Sequence, residues 1–208
     1  MRLDLSLYLV TDPELCAERG LEATVLAAVK GGVSMVQLRD KQASDAELIP
    51  VARRLKAVLA SSSVPLLVND RLEVALASGA DGLHIGQDDG EVSEARSALG
   101  SEAMLGLSVQ TAQQLAGIDV ERLDYLGLGP VFATPSKRDH AAPLGFDGLA
   151  ALAGASPLPT VAIGGLKAEH AAVVQRAGVN GMAVISAICG TPDPQAAARA
   201  FPSFRQRG

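Results

Sequence analysis

Residues Gly79 to Asp89 read Gly-Ala-Asp-Gly-Leu-His-Ile-Gly-Gln-Asp-Asp, and they decide the fold. Gly79 can take the left-handed turn that ends a helix, Ala80 packs back, and Asp81 turns the chain into the next element. Gly82 to Ile85 is a short, nearly continuous apolar run, the pattern of a strand covered on both faces. Gln87, Asp88 and Asp89 follow, where a loop would leave the strand's carboxyl end. Arg71 to Ala77, upstream, has a helical pattern. The stretch is thus one unit of helix, tight loop, buried strand and polar loop.

The same unit recurs in both directions. Candidate strands are Leu5 to Val10, Ser34 to Leu38, Pro65 to Val68, Gly82 to Ile85, Met104 to Leu107, Tyr125 to Leu128, Thr160 to Ile163 and Gly181 to Ile185. Helix-like stretches lie between them: Asp45 to Leu59, Arg71 to Ala77, Ser93 to Leu99, Ala112 to Gly117, Phe146 to Leu152 and Lys167 to Ala177. In the first of these, Leu48, Val51, Ala52, Leu55 and Leu59 are spaced for one face. Gly32-Val33-Ser34 and Gly178-Val179-Asn180 echo Gly79-Ala80-Asp81, each after a helical stretch and before an apolar run. Strand then helix, repeated about eight times, predicts a parallel sheet closed as a (β/α)8 TIM barrel, with an open doubly wound sheet as second choice. At 208 residues and 48% hydrophobic, with no linker-like stretch, residues 1–208 are expected to form one domain.

Composition narrows the partners. The net charge is −5, aromatics are 3% of the chain, and there is no basic run, so a nucleic-acid partner is not expected. Leu5 to Val10 is too short and too polar-flanked for a signal-peptide core, and no segment reaches the length of a membrane span. A cytoplasmic location and small-molecule partners are expected, with homo-oligomerisation left open. Cys16 and Cys189 are too far apart in sequence to form a metal-ligand pair and read as buried small hydrophobes.

In a barrel of this kind the site lies in the loops after the strands' carboxyl ends. After the second run comes Gln37-Leu38-Arg39-Asp40-Lys41, where period-two geometry would aim Gln37, Arg39 and Lys41 the same way. After the third comes Asn69-Asp70-Arg71, after the fourth His84 to Asp89, and after the fifth Ser108. After the sixth comes Gly129 to Arg138, with Thr134, Ser136 and Lys137. Cations with carboxylates suit a metal-bound diphosphate, and Asp and Asn offer oxygen, which favours magnesium over zinc. Ile163-Gly164-Gly165 and Val184-Ile185-Ser186-Ala187 fall in the last two loops, where barrel enzymes often grip a monophosphate. Two phosphorylated substrates would fill both places.

Plainer readings compete. Gly164-Gly165 can be only a turn, and Arg39, Lys41 and Lys137 only solvated surface charges. Asp70 can cap a helix beginning at Arg71, and Asp88 or Asp89 one near Val92. His84 reads as a hydrogen-bonded rim residue rather than a general base. No nucleophile stands out.

With those residues laid out, the chain resembles thiamine-phosphate synthases over nearly its whole length. The matching stretches are Tyr8 to Asp12, Val36 to Lys41, Val68 to Arg71, Ala80 to Asp89, Gly106 to Ser108, Gly129 to Lys137, Ala162 to Gly165 and Ala183 to Ala187. The resemblance implies a magnesium-dependent transferase joining hydroxymethylpyrimidine diphosphate to hydroxyethylthiazole phosphate, with thiamine phosphate and diphosphate as products. It implies that Gln37, Arg39, Lys41, Asn69, Ser108 and Lys137 contact the pyrimidine diphosphate, with Arg39, Lys41, Lys137 and Ser108 catalytic, and that Asp70 and Asp89 ligate magnesium. It further implies that Thr134, Ser136, Gly165, Ile185 and Ser186 hold the thiazole phosphate. Ser136 stands where threonine is frequent in the family, and the hydroxyl is kept. The related thiazole tautomerase has no use for a diphosphate-metal site, which disfavours it here. A phosphate-ligand sensor without turnover would be expected to have lost one of these charged groups.

Overall fold

The apolar runs become strands that close on themselves. In the computed structural model, which describes residues 3–133, 142–202 and 204, the strands are β1 (Leu7–Val10), β2 (Met35–Leu38), β3 (Leu66–Asn69), β4 (Gly82–Ile85), β5 (Met104–Val109), β6 (Tyr125–Leu128), β7 (Thr160–Ile163) and β8 (Gly181–Val184). They pair in parallel and in sequence order, and β8 pairs back onto β1 with Leu9 opposite Val184. That pairing makes the fold a (β/α)8 barrel and removes the open-sheet alternative. The helices are α1 (Leu21–Gly31), α2 (Asp45–Leu59), α3 (Leu72–Ser78), α4 (Val92–Leu99), α5 (Ala112–Ala116), α6 (Gly145–Ala155), α7 (Ala171–Arg176) and α8 (Pro194–Arg199). The stretch Lys167 to Ala177 divides into a 3-10 turn, Ala168–His170, and α7.

Successive strand residues face opposite sides, so the barrel has two cores. Inside lie Leu5, Tyr8, Val10, Met35, Leu67, Met104, Tyr125, Val161 and Ala183. Their neighbours, such as Leu7, Leu9, Val36, Leu38, Leu66, Val68 and Leu83, pack outward against the helices. At the closure, α1 meets α8 so tightly that a Cβ on Gly31 would lie 2.4 Å from Gln195 O. Cys16 and Cys189, distant in sequence, are both buried, and Cys189 Sγ lies 3.9 Å from Val10 O. No helix among the described residues is long and apolar enough to cross a membrane.

The glycine echo has a second half that the spacing alone did not disclose. Gly32, Gly79 and Gly178 all have positive φ, at 114°, 67° and 91°. Two residues later, Ser34 Oγ, Asp81 Oδ2 and Asn180 Oδ1 accept hydrogen bonds from the N–H groups of Leu7, Leu66 and Thr160, at 3.0, 2.8 and 2.9 Å. Each polar residue's own N–H donates back to the carbonyl of that same partner. Asp124 does likewise with Leu105, accepting at 2.7 Å, without a preceding glycine. The clamps therefore join β1 to β2, β3 to β4, β5 to β6 and β7 to β8, at every second strand boundary. Two carry an added ion pair, Lys56 on Asp81 and Arg96 on Asp124.

Candidate active site

The rim is built strand by strand. Gln37, one residue from the end of β2, faces the barrel interior, is buried, and donates from Nε2 to Tyr8 Oη at 2.6 Å. The strand ends at Leu38, and Asp40 Oδ1 accepts from the N–H groups of Gln42 and Ala43 at 2.8 and 3.1 Å. That turn interrupts the alternation which would have aimed Gln37, Arg39 and Lys41 together, so period-two geometry does not extend to Lys41. Lys41 reaches the rim by a different route, since its ammonium pairs with the Asp70 carboxylate of the next loop. Arg39 is fixed by its N–H on Thr11 Oγ1, at 3.0 Å. Burial lowers the pKa of its guanidinium, and the charges of Asp12 and Asp40 oppose that. Arg39 also lines a cavity of about 530 Å³ between the β1 loop and α2, together with Thr11 and Asp40.

Asp70 takes the left-handed backbone conformation, φ 62°, which Asp tolerates better than most residues but which still costs free energy. Its N–H donates to His84 O at 2.9 Å, tying the loops after β3 and β4 together. The helix after it begins at Leu72 with Arg71 as N-cap and no side-chain cap bond, so the capping reading of Asp70 is not adopted. Nor does Asp89 cap α4, whose N-cap is Glu91; Asp89 Oδ2 instead accepts from Gly86 N–H at 2.7 Å. Asn69 closes β3, half-buried and opposite His84 across the β3–β4 pair.

Asp70 and Asp89 follow adjacent strands, and each uses one carboxylate oxygen in the contacts named. Among the described residues, no cluster of three or more His, Cys, Asp or Glu could hold a metal by itself. Magnesium usually takes one or two protein carboxylates and completes its shell with water and substrate phosphate, so this oxygen-only pair fits it.

Ser108 lies within β5, which continues to Val109, rather than in the loop beyond it. Its Oγ is 2.9 Å from His84 Nε2, and its carbonyl accepts from Gln87 Nε2 at 2.6 Å. On the other side of the imidazole, His84 Nδ1 is 2.9 Å from Tyr125 Oη, which is 2.9 Å from Tyr8 Oη. Gln37, Tyr8, Tyr125, His84 and Ser108 thus form one chain of contacts across the barrel. Burial pushes both tyrosines above their ordinary pKa, so the phenols stay protonated. Space for the rings comes from glycine: a Cβ on Gly106 would lie 2.2 Å from Tyr125 Cζ, and one on Gly127 would lie 3.1 Å from His84 Cε1. Tyr8 and Tyr125 went unnoticed as site residues. The available signal was that the chain's two tyrosines both fall on the same alternating face as Gln37 and His84.

At the far side of the rim, Gly164 and Gly165 have positive φ, 107° and 65°. A Cβ on Gly164 would come 2.7 Å from Pro130 Cα, and Val131 and Phe132 N–H donate to Ile163 O and Gly164 O at 2.9 and 3.0 Å. Packing of the β6 loop therefore accounts for Gly164, while Gly165 is exposed. Ile185 O accepts from the N–H groups of Ile188 and Cys189, forming a helical turn whose start leaves the Ser186 and Ala187 N–H groups outside its own bonding. Thr134, Ser136 and Lys137 lie outside the described residues.

The model of the family described as thiamine monophosphate synthase matches residues 7–188. A thiamine-phosphate synthase of Psychrobacter sp. (strain PRwf-1) is 53% identical over 197 residues, covering 93% of this chain and 92% of its own length. One from Azorhizobium caulinodans is 50% identical over 201 residues, covering 97% and 95%. Among solved structures, a thiamine phosphate pyrophosphorylase from Pyrococcus furiosus aligns with a TM-score of 0.85 at 32% identity, covering 94% of this chain and 93% of that one.

Proposed function

Because the chain belongs to the thiamine monophosphate synthase family and is a transferase of that type, we propose that it joins 4-amino-2-methyl-5-hydroxymethylpyrimidine diphosphate to 4-methyl-5-hydroxyethylthiazole phosphate. The bond between the pyrimidine methylene carbon and the diphosphate oxygen breaks, and its electron pair leaves with diphosphate. The neutral thiazole nitrogen then supplies the pair for the new carbon–nitrogen bond. Arg39, Lys41 and Lys137 stabilise the charge that builds on the departing group, and Ser108, Gln37 and Asn69 hold the pyrimidine. Thr134, Ser136, Gly165, Ile185 and Ser186 hold the thiazole phosphate. Such a reaction requires positioning and charge stabilisation, not an enzyme nucleophile. Asp70 and Asp89 would hold magnesium, which when bound supplies additional positive charge to the diphosphate.

The observation that carries the reading is the Lys41–Asp70 pair, which brings a cation and a carboxylate from successive loops to one place on the rim. A site of that composition suits an anion that arrives with its own cation. The test is diphosphate release by the purified protein, with magnesium and again with chelator. Release that needs both substrates and stops on chelation is expected. Tight binding of the thiazole phosphate without release would reject the reading in favour of a tautomerase or a sensor.

A further inference from the structure

The buried chain from Gln37 to Ser108 has a direction, which follows from counting protons. Gln37 Nε2 can only donate, so Tyr8 Oη accepts from it at 2.6 Å. Tyr8 has one proton, and among the described residues its only other polar contact is Tyr125 Oη at 2.9 Å. A buried hydroxyl proton left without an acceptor is costly, so Tyr8 donates to Tyr125. Tyr125, having accepted from Tyr8, in turn donates its own proton to His84 Nδ1. Nδ1 is then an acceptor, the imidazole is neutral with its proton on Nε2, and Nε2–H donates to Ser108 Oγ. Ser108 has accepted and still holds its own proton, which has no remaining place in the chain.

We propose that Tyr8, Tyr125 and His84 are positioning residues whose one-way hydrogen-bond chain fixes Ser108 as a donor toward the substrate. The acceptor on the substrate would be a ring nitrogen or a phosphate oxygen, and that identification rests on the synthase reading. A purely packing role would be served as well by phenylalanine at both tyrosines, and the glycines at 106 and 127 make room for the rings whatever they bond. The polarity is therefore the part open to test.

The links differ in what they control. Tyr125→Phe removes the donor to Nδ1 and frees the imidazole to place its proton on either nitrogen. Tyr8→Phe leaves Tyr125 still donating to His84. The measurement is nitrogen-15 NMR of the histidine side chains, with the His84 signal identified among the chain's three histidines by its loss in His84→Gln. Wild type and Tyr8→Phe are expected to show the Nε2–H form, and Tyr125→Phe a mixture. Turnover of Tyr125→Phe at saturating and limiting substrate should show kcat/KM lowered about tenfold, the scale of one hydrogen bond. An Nδ1–H form in the wild type would overturn the proposal, and so would an unchanged His84 signal in Tyr125→Phe. If Tyr125→Phe does not fold, the wild-type and Tyr8→Phe spectra still decide the direction. A wild type that shows the Nε2–H form but releases no diphosphate would reject the synthase reading alone.

Discussion

A methyl group at position 106 would have to share space with a phenol ring. Gly106→Ala brings a Cβ to 2.2 Å from Tyr125 Cζ and 2.5 Å from its Oη, and the ring is wholly enclosed. Overpacking of this kind costs about 1–3 kcal/mol. The expected result is a lower urea midpoint for Gly106→Ala by circular dichroism, with a slope like the wild type's; an unchanged midpoint would mean that the interior can shift to accept it. Some candidate residues of the rim were legible because they stand at the ends of apolar runs, as Gln37, Asn69 and Asp70 do. Lys41 was found for a reason that did not hold, since the turn at Asp40 ends the alternation and an ion pair brings the side chain back. Tyr8 and Tyr125 were hidden because aromatic residues in a strand are ordinary core, and only the contact geometry shows them bonded to each other.

Strand by strand, alternation within the runs was enough to find β4, β6 and β7 at their observed bounds, and the one-sided spacing of α2 did the same for that helix. The capping box of Ser44 and Glu47 fixes where α2 begins. α1 escaped notice because Leu-Glu-Ala-Thr-Val-Leu-Ala-Ala-Val-Lys-Gly is apolar nearly all round and follows a glycine without a side-chain cap. α8 is six residues and shows itself only through Asp193 and Pro194. Among the clamps, three announced themselves by a preceding glycine, whereas Asp124 follows Leu123 and had no such marker. Asn180→Ala tests what a clamp contributes. The substitution leaves the N–H of Thr160, a buried residue, without its side-chain acceptor, which should cost about 1–3 kcal/mol in urea unfolding. A loss near zero would show that water replaces the amide oxygen there.

For the whole molecule, counting repeats led to the barrel, and closure decided it. Eight strand-like runs are compatible with an open sheet, and the register of β1 on β8 is a long-range fact that no local pattern contains. Distances along the chain also mislead in the other direction: Cys16 and Cys189 are neighbours across the closure, and α1 packs on α8.

The alternation of clamped and unclamped boundaries gives the barrel seams. It divides into four two-stranded staves, each riveted at its amino end, while the boundaries between staves carry ladder bonds, packing and the rim contacts of Lys41 with Asp70 and of His84 and Gln87 with Ser108. A circular permutant with its original ends linked and new ends cut at residues 61–64, between staves, keeps every rivet. One cut at Gly79–Ala80, beside Asp81, frays the bond to Leu66. With the same linker, the first should be the more stable by about 1–3 kcal/mol in urea unfolding, and equal stability would show that the staves are not units. A chain with such seams can be reopened and rejoined by rule, and the rule is written in Ser34, Asp81, Asp124 and Asn180.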